Sequence, residues 1–252
     1  MGQVIILPET VKDPISLIGR RAGICYHADT SDPKANYQRG LDCIKSGHGR
    51  TLEFVDVHMI LKDYSAKVIR EWYTHIGGAP TRLQESTRYV EYTNFKYIIP
   101  PEIEKIPDAK AVYEATMNKI SEAMQYLESV YKIKREDSSM LCPLGMRTTE
   151  VDKRNVRNLI DMSRNRECSR AFWEYKNDLF PDVKRKLSEY STEWNTLVDL
   201  TFYPKCEMLG YCPEKRSCGR KSKYRLEVGI DLSHLEDDTD MVTGDADAKL
   251  RL

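Results

Sequence analysis

Several features are missing from this 252-residue chain, and each absence narrows what it can do. It carries no excess charge. Lys and Arg total 39, as do Asp and Glu, so the formal net charge is zero. A bulk electrostatic affinity for nucleic acid is therefore not supported. No apolar run approaches the roughly 18 residues that span a bilayer, so no membrane partner is expected. The start, Met-Gly-Gln-Val-Ile-Ile-Leu-Pro, is too short and lacks the basic flank of a signal peptide; it reads as a first β-strand. The seven cysteines form an odd set without a short-range framework, which argues for a reducing, cytoplasmic setting. A Rossmann glycine fingerprint, a Walker loop and a Gly-x-Ser-x-Gly elbow are all absent, so any nucleotide or flavin must be held in another way. Repeats and low-complexity tracts are missing as well.

What is present predicts an α+β fold: a small, mostly antiparallel sheet with long helices. Strands are expected at 3–7, over Leu52–Leu61 from the partial alternation of Val55, Val57, Met59 and Leu61, at Tyr97–Ile99, and over Met146–Val151. Helical spacing runs through Lys34–Ser46, with Tyr37, Leu41 and Ile44 on one side, and through Tyr64–His75 with Val68, Ile69 and Trp72. The clearest helix is Asp108–Tyr131, with an apolar stripe of Val112, Ala115, Ile120, Ala123, Leu127, Val130 and Tyr131. A further helix is predicted from about Asn155 to Phe180, ended by Pro181, and another over Val183–Leu200. Residues 1–225 read as one domain with a cysteine-containing extension from about 203. Residues 226–252 are acidic and poor in apolar groups, which predicts a flexible tail.

The most informative run is Arg70 to Tyr92. It begins as an amphipathic helix, breaks at Gly77-Gly78-Ala79-Pro80, and continues into Thr81, Arg82, Leu83, Gln84, Glu85, Ser86, Thr87 and Arg88. Guanidinium, hydroxyl and amide groups together are the set that grips a phosphate and the polar edge of a base. A second segment, Lys153 to Arg166, places Arg157 and Asp161 one helical turn apart, with Arg166 able to line the same groove as Asn155. Its apolar face is the narrow set Leu159, Ile160 and Met162; the alternative is a solvated basic helix with internal ion pairs. A third, Gly47-His48-Gly49-Arg50-Thr51-Leu52-Glu53, sets a histidine and a carboxylate around a turn, where His48 either donates a proton or caps the preceding helix. Cys206, Cys212 and Cys218 are evenly spaced, but five intervening residues match structural zinc poorly, and His234 is the only nearby fourth candidate. No metal is expected.

These three segments, in this order, resemble the flavin-dependent thymidylate synthases. The family hallmark, an Arg-His-Arg triplet, a spacer and Ser-x-Arg-Tyr, appears here as Thr74-His75-Ile76, a spacer two residues longer, and Ser86-Thr87-Arg88-Tyr89. Gly47-His48 with Glu53 matches a Gly-His…Glu turn, and Asn155-Val156-Arg157 matches Asn-x-Arg. Leu141-Cys142-Pro143-Leu144 resembles a Leu-Pro-Leu turn, and Ala171–Lys176 looks like an Ala-Gln-x-Glu-Ile-Arg continuation. The likeness covers roughly residues 3 to 200.

The resemblance implies a thymidylate synthase-complementing-protein-like fold assembled as a homotetramer with active sites shared between subunits. It implies FAD, with NADPH and methylenetetrahydrofolate as co-substrates and dUMP as the nucleotide methylated to dTMP. By position, Gln84, Glu85, Ser86, Thr87, Arg88 and Arg166 would hold dUMP. Glu53, His75, Ile76, Arg82, Asn155, Arg157 and Asp161 would contact FAD. Arg166 and His48 would act closest to the chemistry, Arg166 facing the pyrimidine and His48 at the folate and nicotinamide entry.

Both triplet arginines are replaced here, by Thr74 and Ile76, and Arg82 offers one guanidinium from a new backbone position. Gln84, Glu71 and Asp161 also stand where the family has glutamate, often glutamine, and histidine or asparagine. These departures motivate an alternative, a flavin- and folate-dependent enzyme acting on another pyrimidine nucleotide or giving a hydroxymethyl product. A non-enzymatic metal- and nucleic-acid-binding protein is the remaining reading, against which zero net charge and the cysteine spacing both count.

Overall fold

A computed structural model describes residues 2–223 of the chain; the acidic tail and His234 lie outside the described residues. The described residues up to Met208 form one compact unit, and those from Leu209 onward belong to a second. In the first, the strands β1 (Gln3–Ile6), β2 (Asp56–Ser65), β3 (Thr81–Gln84) and β4 (Arg147–Asn155) make one sheet in the order β1-β2-β4-β3. All three pairings are antiparallel, with Val57 opposite Arg154, Met59 opposite Asp152 and Leu61 opposite Glu150. The ten helices of the described residues are α1 (Pro14–Ile24), α2 (Pro33–Lys45), α3 (Ala66–Trp72), α4 (Pro101–Glu104), α5 (Pro107–Ser129), α6 (Arg135–Ser138), α7 (Val156–Arg166), α8 (Phe180–Tyr190), α9 (Thr192–Thr201) and α10 (Lys205–Leu209). The fold is α+β.

Alternation explains β1 and β2: Val4, Val57, Met59 and Leu61 are fully buried on one face, where they join Trp72, Leu159, Phe180 and Trp194 in the main core. Helices α1 and α2 cross closely because Gly19 and Gly40 carry no side chain; a Cβ on Gly19 would lie 1.8 Å from the Asn36 carbonyl oxygen. Helix α1 carries Pro14 in its first turn, where a missing N–H costs nothing.

The structure redraws several sequence-based boundaries. The expected strand Leu52–Leu61 is a 3₁₀ turn over Gly49–Phe54 followed by β2, which runs on to Ser65. Ser65 then caps α3 by accepting the Val68 N–H at 3.0 Å, so the helix expected from Tyr64 to His75 is confined to Ala66–Trp72. The helix expected from Asn155 to Phe180 breaks after Arg166, and a π-helical turn at Tyr175–Leu179 leads into α8. Pro181 does not end a helix. It sits in the first turn of α8, where proline is tolerated. Ser191 divides Val183–Leu200 into two helices by capping Trp194 N–H. Tyr97–Ile99 makes only an isolated bridge, Tyr97 with Met146, and α1 has no counterpart among the expected elements.

The buried face of α5 also differs from the expected stripe. Met117 and Met124 are buried and Tyr113 and Ile120 partly so, packed with Tyr92, Phe95 and Met146 in a second cluster. Flexible methionines fill that irregular space, and this leaves Val112, Tyr126, Val130 and Tyr131 more than half exposed on the opposite face.

In the second unit, the described residues form a hydrogen-bonded turn in which Ser217 Oγ donates to the Lys221 carbonyl and Lys223 Nζ donates to that of Lys215. Among the described residues no three His, Cys, Asp or Glu side chains group as a metal site would require. No helix there is long and apolar enough to cross a membrane.

Candidate functional site

Strand β4 runs directly into α7, and the junction gathers the first set of site residues. Asn155 is both the last residue of β4 and the N-cap of α7; its Oδ1 accepts the Asn158 N–H at 2.9 Å. One turn of the helix then presents Arg157 to Glu53 on the 3₁₀ turn, where the two form an ion pair. Gly49 of that turn lies against the Arg157 guanidinium, 3.2 Å from its Nε to a built Cβ. The Gly77-Gly78 break closes over the same helix end. Gly78 has φ of +72°, and a Cβ there would stand 1.9 Å from Asn155 Nδ2. Only glycine meets both demands, so the loop carrying His75 rests on the Asn155 junction.

His75 itself reaches the far end of α7. Arg166 Nε donates to His75 Nε2 at 2.9 Å, and Arg166 Nη1 donates to Glu71 Oε2 at 2.9 Å. The guanidinium also lies 4.7 Å from the Tyr175 ring centroid. An acceptor at Nε2 requires a neutral imidazole with its proton on Nδ1. Burial, then the Arg166 and Arg154 charges, push the His75 pKa down to about 4. The structure thus brings together His75 with Arg166, and Glu53 with Asn155 and Arg157, along one helix.

The nucleotide-type segment is placed differently from expectation. Thr81–Gln84 is not a loop; it is β3, an edge strand paired to β4 with Arg82 opposite Asp152. Arg82 Nη1 donates to the Tyr73 carbonyl at 2.7 Å, and its guanidinium stacks 4.2 Å over the Tyr73 ring. Gln84 Nε2 donates to Thr148 Oγ1 at 3.4 Å, and Glu85 accepts the Thr149 N–H at 3.1 Å. Ser86 Oγ accepts the Arg88 N–H in a turn that includes Thr87. Arg88 pairs with Glu136 at 2.9 Å, 63% exposed, beside an exposed Tyr89. Among the described residues no hydrogen bond or ion pair joins Ser86–Arg88 to Arg166 or His75.

Three other expected site residues stand apart. His48 is exposed at the start of the 3₁₀ turn and makes no side-chain cap there. It lines a cleft of about 340 Å³ with Cys25, Tyr26, Arg39, Cys43 and Thr51, formed by α1, α2 and the turn. Asp161 is exposed and pairs with Arg164, three residues on, not with Arg157. Arg157 finds a better-placed carboxylate in Glu53, across the junction. Ile76 is 70% exposed.

The charged face of β4 was not anticipated. Glu150, Asp152 and Arg154 are all buried, facing the core, while Val151 is 41% exposed on the other side. The expected strand stopped at Val151, and between Arg147 and Arg154 the one apolar residue is that exposed valine, so the pattern points away from the face that is inside. Arg154 and Asp152 form a fully buried ion pair. Burial, and then the Asp152 carboxylate, push the Glu150 carboxyl up to about 9. Burial likewise raises the Tyr175 hydroxyl.

The model of the family "thymidylate synthase complementing protein" matches residues 7–179, well over half of the chain. A flavin-dependent thymidylate synthase of Clostridium tetani is 28% identical over 257 residues, covering 89% of this chain and 96% of its own. One from Thermococcus onnurineus is 30% identical over 178 residues, covering 67% and 69%. Among solved structures, the flavin-dependent thymidylate synthase of Helicobacter pylori complexed with FAD and dUMP superposes with a TM-score of 0.60 at 18% identity, covering 77% of this chain and 98% of that one. A UMP/dUMP methylase of Streptomyces cacaoi bound with 5-Br dUMP gives 0.62 at 14%, covering 80% and 96%.

Proposed function

Since the chain belongs to the thymidylate synthase complementing protein family, whose curated relatives are flavin-dependent thymidylate synthases, we propose that it methylates dUMP to dTMP with FAD as its bound cofactor. The observation that carries this reading is the pair of clusters on α7: Glu53, Asn155 and Arg157 at its start, His75, Glu71 and Arg166 at its end, bridged by the Gly77-Gly78 loop.

These residues fit a flat, phosphate-bearing cofactor. A neutral imidazole with an Nδ1–H donor, two guanidiniums and a glycine-lined approach to a helix start complement an isoalloxazine edge and a pyrophosphate. His75, Asn155, Arg157, Glu53 and Arg82 would hold FAD, with Ile76 and Asp161 at its margin. FAD held there would supply the redox chemistry of the reaction, with NADPH as reductant and methylenetetrahydrofolate as the one-carbon donor to C5 of dUMP. The chain's own part is binding and orientation. Arg166 is held on three sides, by His75, Glu71 and the Tyr175 ring, so its guanidinium meets a pyrimidine without further ordering. Arg88 and Arg157 each rest on an exposed carboxylate, and a surface pair of that kind is worth at most about 1 kcal/mol, so a ligand phosphate displaces it readily. His48, on its cleft, would meet the folate and nicotinamide.

Ser86–Arg88 do not meet Arg166 within one chain, so we read the site as shared between subunits of a homotetramer. The exposed apolar groups Ile76, Leu83 and Tyr89 beside the loop, and the open face of α5, are the surfaces that such an assembly would bury. A cytoplasmic setting accords with this role. The test is a flavin spectrum of the purified protein with and without dUMP. A bound-flavin spectrum and dUMP-dependent reoxidation in the presence of methylenetetrahydrofolate are expected; a protein that cannot take up FAD would sink the reading.

A second reading keeps the flavin and changes the pyrimidine or the product. It is favoured by Glu71, whose carboxylate occupies Arg166, and by Thr74 and Ile76 in place of arginines. Mass analysis of products from dUMP and dCMP separates the two.

A further inference from the structure

Beside the apolar residues of β2, on the same face of the sheet, two residues of β4 join a chain of four buried side chains drawn from three elements. Trp72 Nε1 donates to Asp152 Oδ2 at 2.8 Å, and Arg154 Nε donates to Asp152 Oδ1 at 2.6 Å. Arg154 Nη2 returns to Asp152 Oδ2, while Nη1 donates to Asn158 Oδ1 at 2.7 Å. The same guanidinium lies 4.3 Å from the Trp72 ring centroid.

We propose that Arg154, acting with Asp152, is a positioning residue that sets the separation of the His75–Gly78 loop from the first turn of α7, and hence of the two halves of the cofactor site. The chain ends where that loop is anchored. Trp72 closes α3, three residues before His75. Asn158 is the residue capped by Asn155, and its Nδ2 stands 2.9 Å from the place of a Cβ on Gly77. Arginine suits this task because its planar fork serves two partners at fixed angles, which a lysine point charge does not. Apolar side chains of equal volume would fill the space without desolvating charge. A directional bracket adds a defined distance and orientation, which apolar packing leaves loose.

The identity of the ligand rests on the function proposed above; the bracket does not. The experiment therefore measures amide hydrogen exchange in residues 73–80 of the full chain without added flavin, beside an FAD titration. Asn158→Ala, which removes the far end of the chain, and Arg154→Lys, which keeps the charge and loses the fork, are expected to speed exchange in 73–80 by about tenfold while β1 and β2 stay protected. FAD dissociation constants should rise by about tenfold in both. Asn158→Asp keeps an oxygen for Arg154 and should remain within about threefold of the parent in both readouts. Unchanged exchange in Asn158→Ala and Arg154→Lys, or an Asn158→Asp as defective as the alanine variant, overturns the proposal. If the parent takes up no FAD, the proposed function fails and the exchange measurements still decide the bracket.

Discussion

Glu150 offers the sharpest physical test of the charged core. Its side chain is fully buried on β4, both carboxyl oxygens lack a hydrogen-bond partner, and the Asp152 carboxylate follows on the same strand face. The native carboxyl is raised from 4.5 to about 9, first by burial and then by Asp152. The folded protein therefore keeps a proton that the unfolded chain releases above 4.5, and stability contributed below that pH is lost as pH rises towards 9. At about 1.4 kcal/mol per pH unit, the cost reaches roughly 3 kcal/mol at pH 7 and grows further at pH 8.5. Glu150→Gln keeps the shape and places an amide N–H against Asp152 with nothing to ionise. Urea denaturation of parent and variant at pH 5, 7 and 8.5 should give stabilities within about 1 kcal/mol at pH 5, with the variant increasingly more stable at higher pH. A gap that stays flat or narrows as pH rises would refute a protonated native Glu150.

Three further outcomes are expected. Arg88→Ala should change stability by less than about 1 kcal/mol, because its one ion pair is exposed, yet weaken dUMP binding by about tenfold or more; calorimetry of dUMP binding checks this, and a larger nucleotide effect from Arg82→Ala would show that the phosphate segment is misassigned. Gly78→Ala should lower stability by about 2 kcal/mol and reduce flavin content, since it forces a side chain both at φ of +72° and into Asn155; an unchanged melting temperature would contradict the loop placement. His75 sits on the acid side. Its pKa is lowered from 6.5 to about 4, so the unfolded chain takes up a proton that the native state refuses, and stability falls as pH drops through that window. Because the side chain is only half buried, the loss is about 1 kcal/mol, and His75→Gln should flatten it in melts recorded from pH 7 to 4.5; equal slopes for both proteins would count against a neutral His75.

Sequence alone was enough to locate β1, α2 and α5, the α+β class, and the family, because apolar periodicity and the order of short motifs are local properties. It also placed Asn155 at the start of the helix that carries Arg157 and Arg166. It could not decide that Thr81–Gln84 is a strand, since the pairing that makes it one comes from β4, far along the chain. Nor could it assign partners to the site arginines: Arg157 met Glu53 and not Asp161, and Arg166 met His75 across 91 residues. The inward face of β4 is the clearest case. Thr148, Glu150, Asp152 and Arg154 alternate with Thr149, Val151 and Lys153, so the one apolar residue of the run lies on the exposed side and the hydrophobic contrast points to the wrong face. The charges of Asp152 and Arg154 are tolerated inside because they pair with each other and because Trp72 and Asn158, supplied by α3 and α7, meet them there, whereas Glu150 avoids a charge by keeping its proton. A buried charge is stable only where its partners are, and those partners are brought together by the tertiary fold.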